Sequence, residues 1–276
     1  MARSSTDISR SNSLVMALFL NALSIQVRVI QAIVYRETLI KLGNNKMGFL
    51  SAIGQPLSQI LFISLLFTVI GRNNPLGGSI VLFLATAIIP YNFCIMMATR
   101  VMNNQGTSKG LMTHPFITPF DTIIANLLIE SSILLIAGVV IFTGVGLLGY
   151  WDYSYDSLLD ILLMIIVSIT LGFAIGLINS ALAARFSLYP KFWGLLTRPL
   201  FIMSGVFFVA SERFPPEVMA ILYYNPVLHI TEWSRSAFYR TWESSLVDLK
   251  YLLGFTLTAL FIGLAMQRLT EEKARE

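Results

Sequence analysis

The chain has 276 residues, of which 55% are hydrophobic and 12% charged, and its mean hydropathy is +0.72. Because an ordinary soluble protein is about 25% charged, this composition excludes a soluble globular protein and indicates an integral membrane protein. The apolar runs are continuous rather than alternating, which predicts spanning helices and not a barrel. The net charge of +4 reflects loop lysines and arginines, so it does not indicate a nucleic-acid partner.

The first apolar run, residues 14–35, carries a polar stripe at Asn21, Ser24, Arg28, Gln31 and Tyr35. These spacings alternate between three and four residues, which places the stripe on one narrow face of a helix. Such a helix can lie in the membrane interface with its stripe toward water. A true span with the stripe facing protein is the alternative. The interfacial helix is favoured, because a span would place an arginine in the middle of the membrane.

Six further apolar runs predict six transmembrane helices in one domain that covers residues 1–276. The predicted spans are residues 47–70, 79–101, 121–148, 158–184, 195–209 and 252–267. Pro90 lies inside the second span and predicts a kink, while Pro119 and Asp121 mark the start of the third. Lysines and arginines concentrate in the segments that lie inside if both termini are cytoplasmic, and this bias predicts that orientation.

Residues 211–240 are apolar but contain seven ionisable residues, and Pro215, Pro216 and Pro226 divide them into short pieces. Each charge would cost about 2.5–3.5 kcal/mol at the bilayer centre, so no lipid-facing helix can carry them. We predict a broken, re-entrant helical hairpin that enters from the periplasmic side before the last span. His229, Glu232 and Arg235 recur every third residue here. They are predicted either to neutralise one another or to form an outer gate.

Motifs for catalysis are not evident in the sequence. The segment GTSKG at residues 106–110 lacks the spacing of a phosphate-binding loop, so any ATP must bind to another chain. His114 and His229 are far apart, and no metal site is predicted. Cys94 lies in an apolar run and is predicted to be a buried, unreactive thiol. An enzyme is therefore not the favoured interpretation.

The remaining candidates are charged residues near the predicted inner ends of the spans. Glu130, within the third span, is either a substrate contact or a structural carboxylate bonded to a neighbour such as Arg100. The inner basic residues either set orientation or attract an anionic head group. The candidate residues of a substrate pathway are Arg36, Lys46, Arg100, Glu130, Lys191 and Arg198.

The inner segment 103–119 is predicted to be a docking element, because it exposes apolar residues among polar ones. The apolar residues are Leu111, Met112, Phe116 and Ile117. The alternative is a loop that folds back on its own spans.

Five segments, in this order, resemble the membrane subunit of ABC-2 type exporters, and within them the permease for capsular polysaccharide. They are Arg36-Glu37 with Gly43, Lys46, Gly48, Ala52 and Pro56; FLATAIIPY at 83–91; HPFITPFDTIIANLLIE at 114–130; LLTRPLFIMSGVFF at 195–208; and YNPVLHITEWSRSAFY at 224–239. One departure is Lys41-Leu42, where the family pattern has an arginine and an aromatic residue.

The resemblance implies a homodimer of permeases with two ATP-binding cassette subunits, which would hold ATP and Mg while this chain holds no cofactor. It implies export of a lipid-linked, acidic polysaccharide across the bacterial inner membrane. It also implies a periplasmic co-polymerase and an outer-membrane channel as partners. The cytoplasmic coupling loop would be residues 103–119, with the ATPase contacts at Thr107, Lys109, Leu111, Met112, His114 and Phe116.

Two alternatives to capsular export stay open at this point. One is an ABC-2 permease for another cargo, such as O-antigen, teichoic acid or a drug. The other is an ATP-independent lipid flippase, channel or scaffold.

Overall fold

A computed structural model describes residues 16, 21, 24–40, 46–107, 117–149, 158–239 and 242–275. All regular structure in these ranges is helical, which confirms the predicted all-α class for this part of the chain. The helices are α1 (residues 24–40), α2 (Lys46–Val69), α3 (Ile80–Thr107), α4 (Pro119–Leu147), α5 (Leu158–Arg185), α6 (Tyr189–Met203), α7 (Ala210–Arg213), α8 (Pro216–Leu222), α9 (Pro226–Phe238) and α10 (Leu249–Arg275).

Four of the described helices are long and apolar enough to cross a membrane. Their spanning parts are Ile80–Asn104, Pro119–Leu147, Leu158–Arg185 and Leu249–Thr270, which correspond to the second, third, fourth and sixth predicted spans. The described apolar part of α2 is shorter, Ile53–Val69. Helix α6 has 15 residues and is about 22 Å long, less than the roughly 30 Å of a hydrocarbon core. The count of six spans therefore stays a prediction.

Helix α1 extends to residue 40, beyond the predicted end of the amphipathic helix at residue 35. The polar residues Ser24, Arg28 and Gln31 are exposed, as the predicted stripe requires. On another face of α1, Ile33 is buried and packs with Ala125 of α4. Gln26 also donates a hydrogen bond to the carboxylate of Asp121 at the start of α4. Thus α1 packs against the cytoplasmic end that we predict for α4, and its position relative to a bilayer stays a prediction.

Helix α4 begins with a capping box. The Thr118 hydroxyl accepts from the Asp121 backbone N–H at 3.3 Å, and the Asp121 carboxylate accepts from the Thr118 backbone N–H at 2.9 Å. Pro119 at the first helical position has no N–H to leave unpaired. The helix thus begins two residues before the predicted start at residue 121.

Helix α3 lies at the centre of the bundle, and 83% of its most apolar 18-residue stretch is buried inside the protein. It packs most closely on α5, where two glycines allow the backbones to approach. A Cβ atom on Gly172 would lie 2.4 Å from the carbonyl oxygen of Phe93, and one on Gly176 would lie 2.6 Å from the Cβ of Val101. Small residues commonly provide such contacts between membrane helices.

The predicted broken hairpin corresponds to three short helices, α7, α8 and α9, which are separated at Pro215, Pro216 and Pro226. Almost all of α9 is buried against α3 and α5. Before the hairpin, α6 ends at Met203 with Ser204 as its C-cap, and Gly205 turns the chain with a φ of +69°. The described geometry therefore has the predicted breaks, while the depth of the hairpin in a membrane stays a prediction.

Replacing Gly172 with alanine is expected to lower the thermal unfolding temperature of the purified protein. The added methyl group meets backbone rather than a movable side chain, and such overpacking costs about 1–3 kcal/mol. The matched control is Gly254→Ala in α10, where a Cβ meets nothing within 4 Å. Equal unfolding temperatures for the two variants would contradict the close α3–α5 approach.

Candidate functional site

A cleft of about 940 Å³ lies between α2, α3 and α6. Its walls combine amide, hydroxyl, aromatic and cationic side chains in a chain that is otherwise strongly apolar. The main lining residues are Gln55, Ser58, Gln59 and Phe62 of α2; Tyr91, Asn92, Ile95 and Met96 of α3; Thr197, Arg198, Phe201 and Ile202 of α6; and Phe207 after α6.

The amide groups of the cleft come from apolar runs. The side-chain amide N–H of Asn92 donates to the side-chain oxygen Oε1 of Gln59 at 3.2 Å, and this bond joins α2 to α3. Gln55 lies one helical turn before Gln59 and is exposed. Polar residues within spanning segments usually face protein or a water-filled cavity. The cleft can therefore hold water or polar ligand groups.

A row of aromatic rings forms the second wall. Tyr91 meets Phe201 edge to face at 4.8 Å between ring centroids, and Phe201 meets Phe207 in the same way at 5.2 Å. Phe207 is 5.7 Å from Phe67 on α2. The Tyr91 hydroxyl also donates to the Thr197 carbonyl at 2.8 Å, which fixes the ring against α6. These contacts fill the space between α3 and α6 with aromatic surface.

Arg198 is the cation of the cleft wall, and its side chain is exposed. Four other predicted pathway residues, Arg36, Arg100, Glu130 and Lys191, do not line the cleft. Arg100 pairs with Glu130 at 3.5 Å, and the Glu130 side chain is 4% exposed against 47% for Arg100. This geometry favours the structural interpretation of Glu130 over a substrate contact.

The remaining predicted pathway residues lie apart from one another. Arg36 is 3.6 Å from Glu37 in α1, and Lys191 is exposed near the start of α6. Lys46 begins α2, and its side chain lies outside the described part of the structure. The structure therefore brings Arg198 to the cleft and leaves Arg36, Arg100 and Lys191 elsewhere on the protein.

Glu232 and Arg235 form an ion pair at 3.2 Å, and neither side chain is exposed to solvent. The Arg235 guanidinium donates to the carbonyls of Gly205, Val206 and Phe208 at 2.6, 3.2 and 3.0 Å. It also lies over the ring of Phe83, 4.3 Å from the centroid. This pair therefore fastens α9 to the turn after α6 and to α3.

His229 does not share these partners. Its Nδ1 accepts from the Asp248 backbone N–H at 3.2 Å, so Nε2 carries the proton and donates to the Tyr223 carbonyl at 2.7 Å. Hydrogen bonds from the Tyr251 N–H and the Tyr223 hydroxyl lower the pKa of the Asp248 carboxyl and keep it ionised. The three residues predicted as one cluster thus form an ion pair and a separate histidine site.

A model of the ABC-2 type transporter family matches residues 28–239, well over half of the chain. The chain belongs to the ABC-2 type transporter family. This confirms the family resemblance that the sequence indicated.

Curated relatives of this ABC-2 type protein match almost end to end. The polysialic acid transport protein KpsM of Escherichia coli is 30% identical over 249 residues, which are 90% of this chain and 95% of the relative. The capsule polysaccharide export inner-membrane proteins BexB of Haemophilus influenzae and CtrC of Neisseria meningitidis serogroup B are each 27% identical over 251 residues. Those matches cover 90% of this chain and 93% of each relative.

The predicted coupling residues Lys109, Leu111, Met112, His114 and Phe116 lie outside the described residues, as does the side chain of Thr107. The structure describes both ends of the segment 103–119, and side-chain hydrogen bonds join α3 to α4 there. The Asn104 amide near the end of α3 donates to the Thr122 hydroxyl of α4 at 2.8 Å, and Asn126 of α4 donates to Asn104. In this ABC-2 type protein, α3 and α4 are therefore fastened together where the inner segment leaves and returns.

We did not predict the polar lining of the cleft from the sequence, namely Gln55, Ser58, Gln59, Tyr91, Asn92 and Thr197. A signal for part of it was present, because two glutamines and an asparagine interrupt the first and second apolar runs. Intramembrane amides of this kind are candidates for function in the same way as intramembrane charges.

Arg235→Met is expected to destabilise the protein strongly, by about 3–5 kcal/mol, because it leaves the Glu232 carboxylate buried and unpaired. The measurement is thermal unfolding followed by tryptophan fluorescence. Arg213→Met is the matched control, since Arg213 is exposed in α7. The double variant Glu232→Gln/Arg235→Met is expected to recover part of the loss. An effect no larger than that of Arg213→Met would show that the pair does not hold the turn.

Proposed function

We propose that this chain is the permease subunit of an ATP-driven exporter that moves lipid-linked, acidic capsular polysaccharide across the bacterial inner membrane. The family membership and the similarity to capsule polysaccharide export proteins support the class of transporter. The observation that carries the proposal is the cleft between α2, α3 and α6, because it gathers polar and aromatic groups on one side of an apolar protein.

The side chains of the cleft suit an acidic sugar polymer. Amides such as Gln59 and Asn92 both donate and accept hydrogen bonds, as sugar hydroxyls do. The rings of Phe201 and Phe207 offer apolar surface to the C–H faces of sugar rings. The Arg198 guanidinium attracts a carboxylate and can bind it in a bidentate manner. Few of these groups would be needed for a purely apolar cargo.

The proposed conduit forms between two copies of the chain. The helices beside the cleft expose large apolar side chains, among them Phe62 on α2 and Leu195 and Ile202 on α6, which are 50–66% exposed. In a homodimer related by a two-fold axis, the same surface of each copy meets the other. If α2 and α6 form that surface, the two clefts face each other and enclose one passage.

ATP and Mg are proposed to bind to two ATP-binding cassette subunits on the cytoplasmic side. These subunits would contact the coupling loop 103–119 and push on the joined ends of α3 and α4. The other inner cations, including Arg36, Lys46, Arg100 and Lys191, would attract the anionic head of the cargo near α1. At the outer side, a periplasmic co-polymerase and an outer-membrane channel would receive the polymer.

The energetics of the Glu232–Arg235 pair constrain how an outer gate can move. Removing one partner of a buried ion pair costs about 3–5 kcal/mol, so separating these two charges without solvating them would be a large free-energy term in each transport cycle. We therefore propose that α9 and the turn at residues 204–209 move together as one body during opening. His229 would not act as a third member of the gate, since its ring is engaged by Tyr223 and Asp248.

Arg198→Ala is expected to reduce export of the acidic polymer at least tenfold while assembly with the ATP-binding subunit stays normal. The physical reason is loss of the cation in the cleft wall. The measurement is surface polymer on cells together with co-purification of the two subunits.

Arg198→Lys, which keeps the charge, is expected to retain part of the export. Arg185→Ala is the matched control, because Arg185 is exposed at the end of α5 and does not line the cleft. Normal surface polymer in the Arg198→Ala strain would overturn the assignment of this residue to the pathway.

Reconstituting the chain with the ATP-binding subunit encoded beside it is expected to give ATP hydrolysis that lipid-linked capsular polymer stimulates. Replacing residues 111–116 with a Gly/Ser loop is expected to abolish the stimulation, because the loop would no longer transmit the partner's motion. Stimulation by another lipid-linked polymer and not by the capsular one would assign a different cargo. Lack of any complex would favour a flippase that works without ATP.

A further inference from the structure

A second pocket of about 240 Å³ lies between α3, α4 and α5, away from the cleft. Its walls are almost entirely apolar, with Ile89 and Phe93 of α3, Leu134 and Phe142 of α4, and Ile161 and Ile165 of α5 among its lining residues. Helix α3 separates the two spaces, since Tyr91 and Asn92 line the cleft and Ile89, Pro90 and Phe93 line the pocket. A ligand of this pocket would therefore lie outside the proposed polymer passage.

The side chains at the rim of the pocket indicate that membrane lipid can reach it. Leu135, Val139 and Leu158 line the pocket and are 39%, 64% and 51% exposed. They belong to α4 and α5, two of the helices that are long and apolar enough to span the membrane. Exposed apolar side chains on spanning helices meet either lipid or another helix. Since the pocket opens between such side chains, a membrane lipid can enter it directly.

Two hydroxyl side chains interrupt the apolar lining, the exposed Thr143 of α4 and the buried Ser234 of α9. Ser234 lines the pocket and is buried, and its hydroxyl has no hydrogen-bond partner among the described residues. Ser168 of α5, by contrast, is paired with the Met164 carbonyl at 2.6 Å, while Ser180, deeper in α5 and away from the pocket, shares the lack of a partner. A buried hydroxyl without a partner is costly, and the membrane interior offers no water to pair with it. The Ser234 hydroxyl therefore lacks a hydrogen-bond acceptor.

We propose that this pocket binds one acyl chain of a membrane phospholipid and that the Ser234 hydroxyl donates a hydrogen bond to the ester carbonyl oxygen of that chain. The apolar walls suit the hydrocarbon, and the ester supplies the missing acceptor. A pure hydrocarbon would leave the hydroxyl unpaired, and a sugar would find few partners on these walls. The bound lipid would brace α3, α4 and α5 without occupying the passage.

The first test counts phospholipid retained by the purified full chain, using native mass spectrometry after reconstitution with dioleoyl phosphatidylglycerol. Gly138→Leu is expected to retain one phospholipid fewer per chain than the wild type. A Cβ on Gly138 meets its nearest neighbour, Ile89, at 3.8 Å, so the new side chain can extend into the pocket without a backbone clash. Gly144→Leu is the matched control in the same helix, where a Cβ meets nothing within 4 Å, and it should retain the wild-type number.

A second variant keeps the test decisive if Gly138→Leu does not fold. Leu135→Trp places bulk at the rim rather than inside the protein, and its expected loss is the same single phospholipid. Ile136→Trp is its control, since Ile136 is 40% exposed against 39% for Leu135 and does not line the pocket. Wild-type phospholipid counts in folded Gly138→Leu or Leu135→Trp protein would overturn the site.

The hydroxyl is tested separately by comparing the diester lipid with its diether analogue, which has no carbonyl oxygen. The wild type is expected to prefer the diester by about fivefold, the ratio that one net hydrogen bond provides. Ser234→Ala is expected to bind the two lipids equally and to fold normally, because the wild-type hydroxyl has no described protein partner to lose. An equal preference in the wild type would refute the role of Ser234.

Discussion

The buried guanidinium of Arg235 is the interaction on which the arrangement of the other elements depends. It binds three backbone carbonyls in the turn after α6, the carboxylate of Glu232 and the ring face of Phe83. Those carbonyls belong to residues that leave a helix and would otherwise lack partners in an apolar setting. By satisfying them, Arg235 sets where α6 ends and places Phe207 at the cleft. The main role of the Arg235 side chain is therefore to stabilise the fold.

Helix α3 organises two spaces of opposite chemistry. Tyr91 and Asn92 contribute to the polar cleft beside α2 and α6, and Pro90 and Phe93 contribute to the apolar pocket beside α4 and α5. Helix α3 therefore carries polar residues on the side that faces the cleft and apolar residues on the side that faces the pocket. This explains why the helix is largely buried although its sequence is not uniformly apolar. Because the cleft and the pocket lie on different sides of α3, polar cargo and membrane lipid would contact different faces of this helix.

The long helices were predicted well, because their signals lie close together in the sequence. Features that depend on contacts between distant segments were predicted less well. Pro119 and Asp121 indicated the start of α4 to within two residues, because a capping box depends on neighbours in sequence. The Arg100–Glu130 pair was foreseen as one of two interpretations. In contrast, the spacing of His229, Glu232 and Arg235 suggested one cluster, because spacing along a helix does not show which distant backbone groups each side chain meets. The cleft was missed for the same reason, since Gln59, Asn92 and Thr197 come from three helices.

The types of contact indicate which parts of the bundle can move. Helices α3 and α5 approach at glycines through their backbones, and the Asn104–Thr122 bond joins α3 to α4, so these three helices resist sliding past one another. Helices α2 and α6 meet α3 instead through side-chain contacts. Their hydrogen bonds run from the Asn92 amide to Gln59, from the Tyr91 hydroxyl to the Thr197 carbonyl and from the Trp193 ring N–H to the Thr99 hydroxyl. Such bonds can be exchanged for bonds to water or sugar at little net cost. A push at the inner ends of α3 and α4 would therefore widen the cleft before it disrupts the α3–α4–α5 unit.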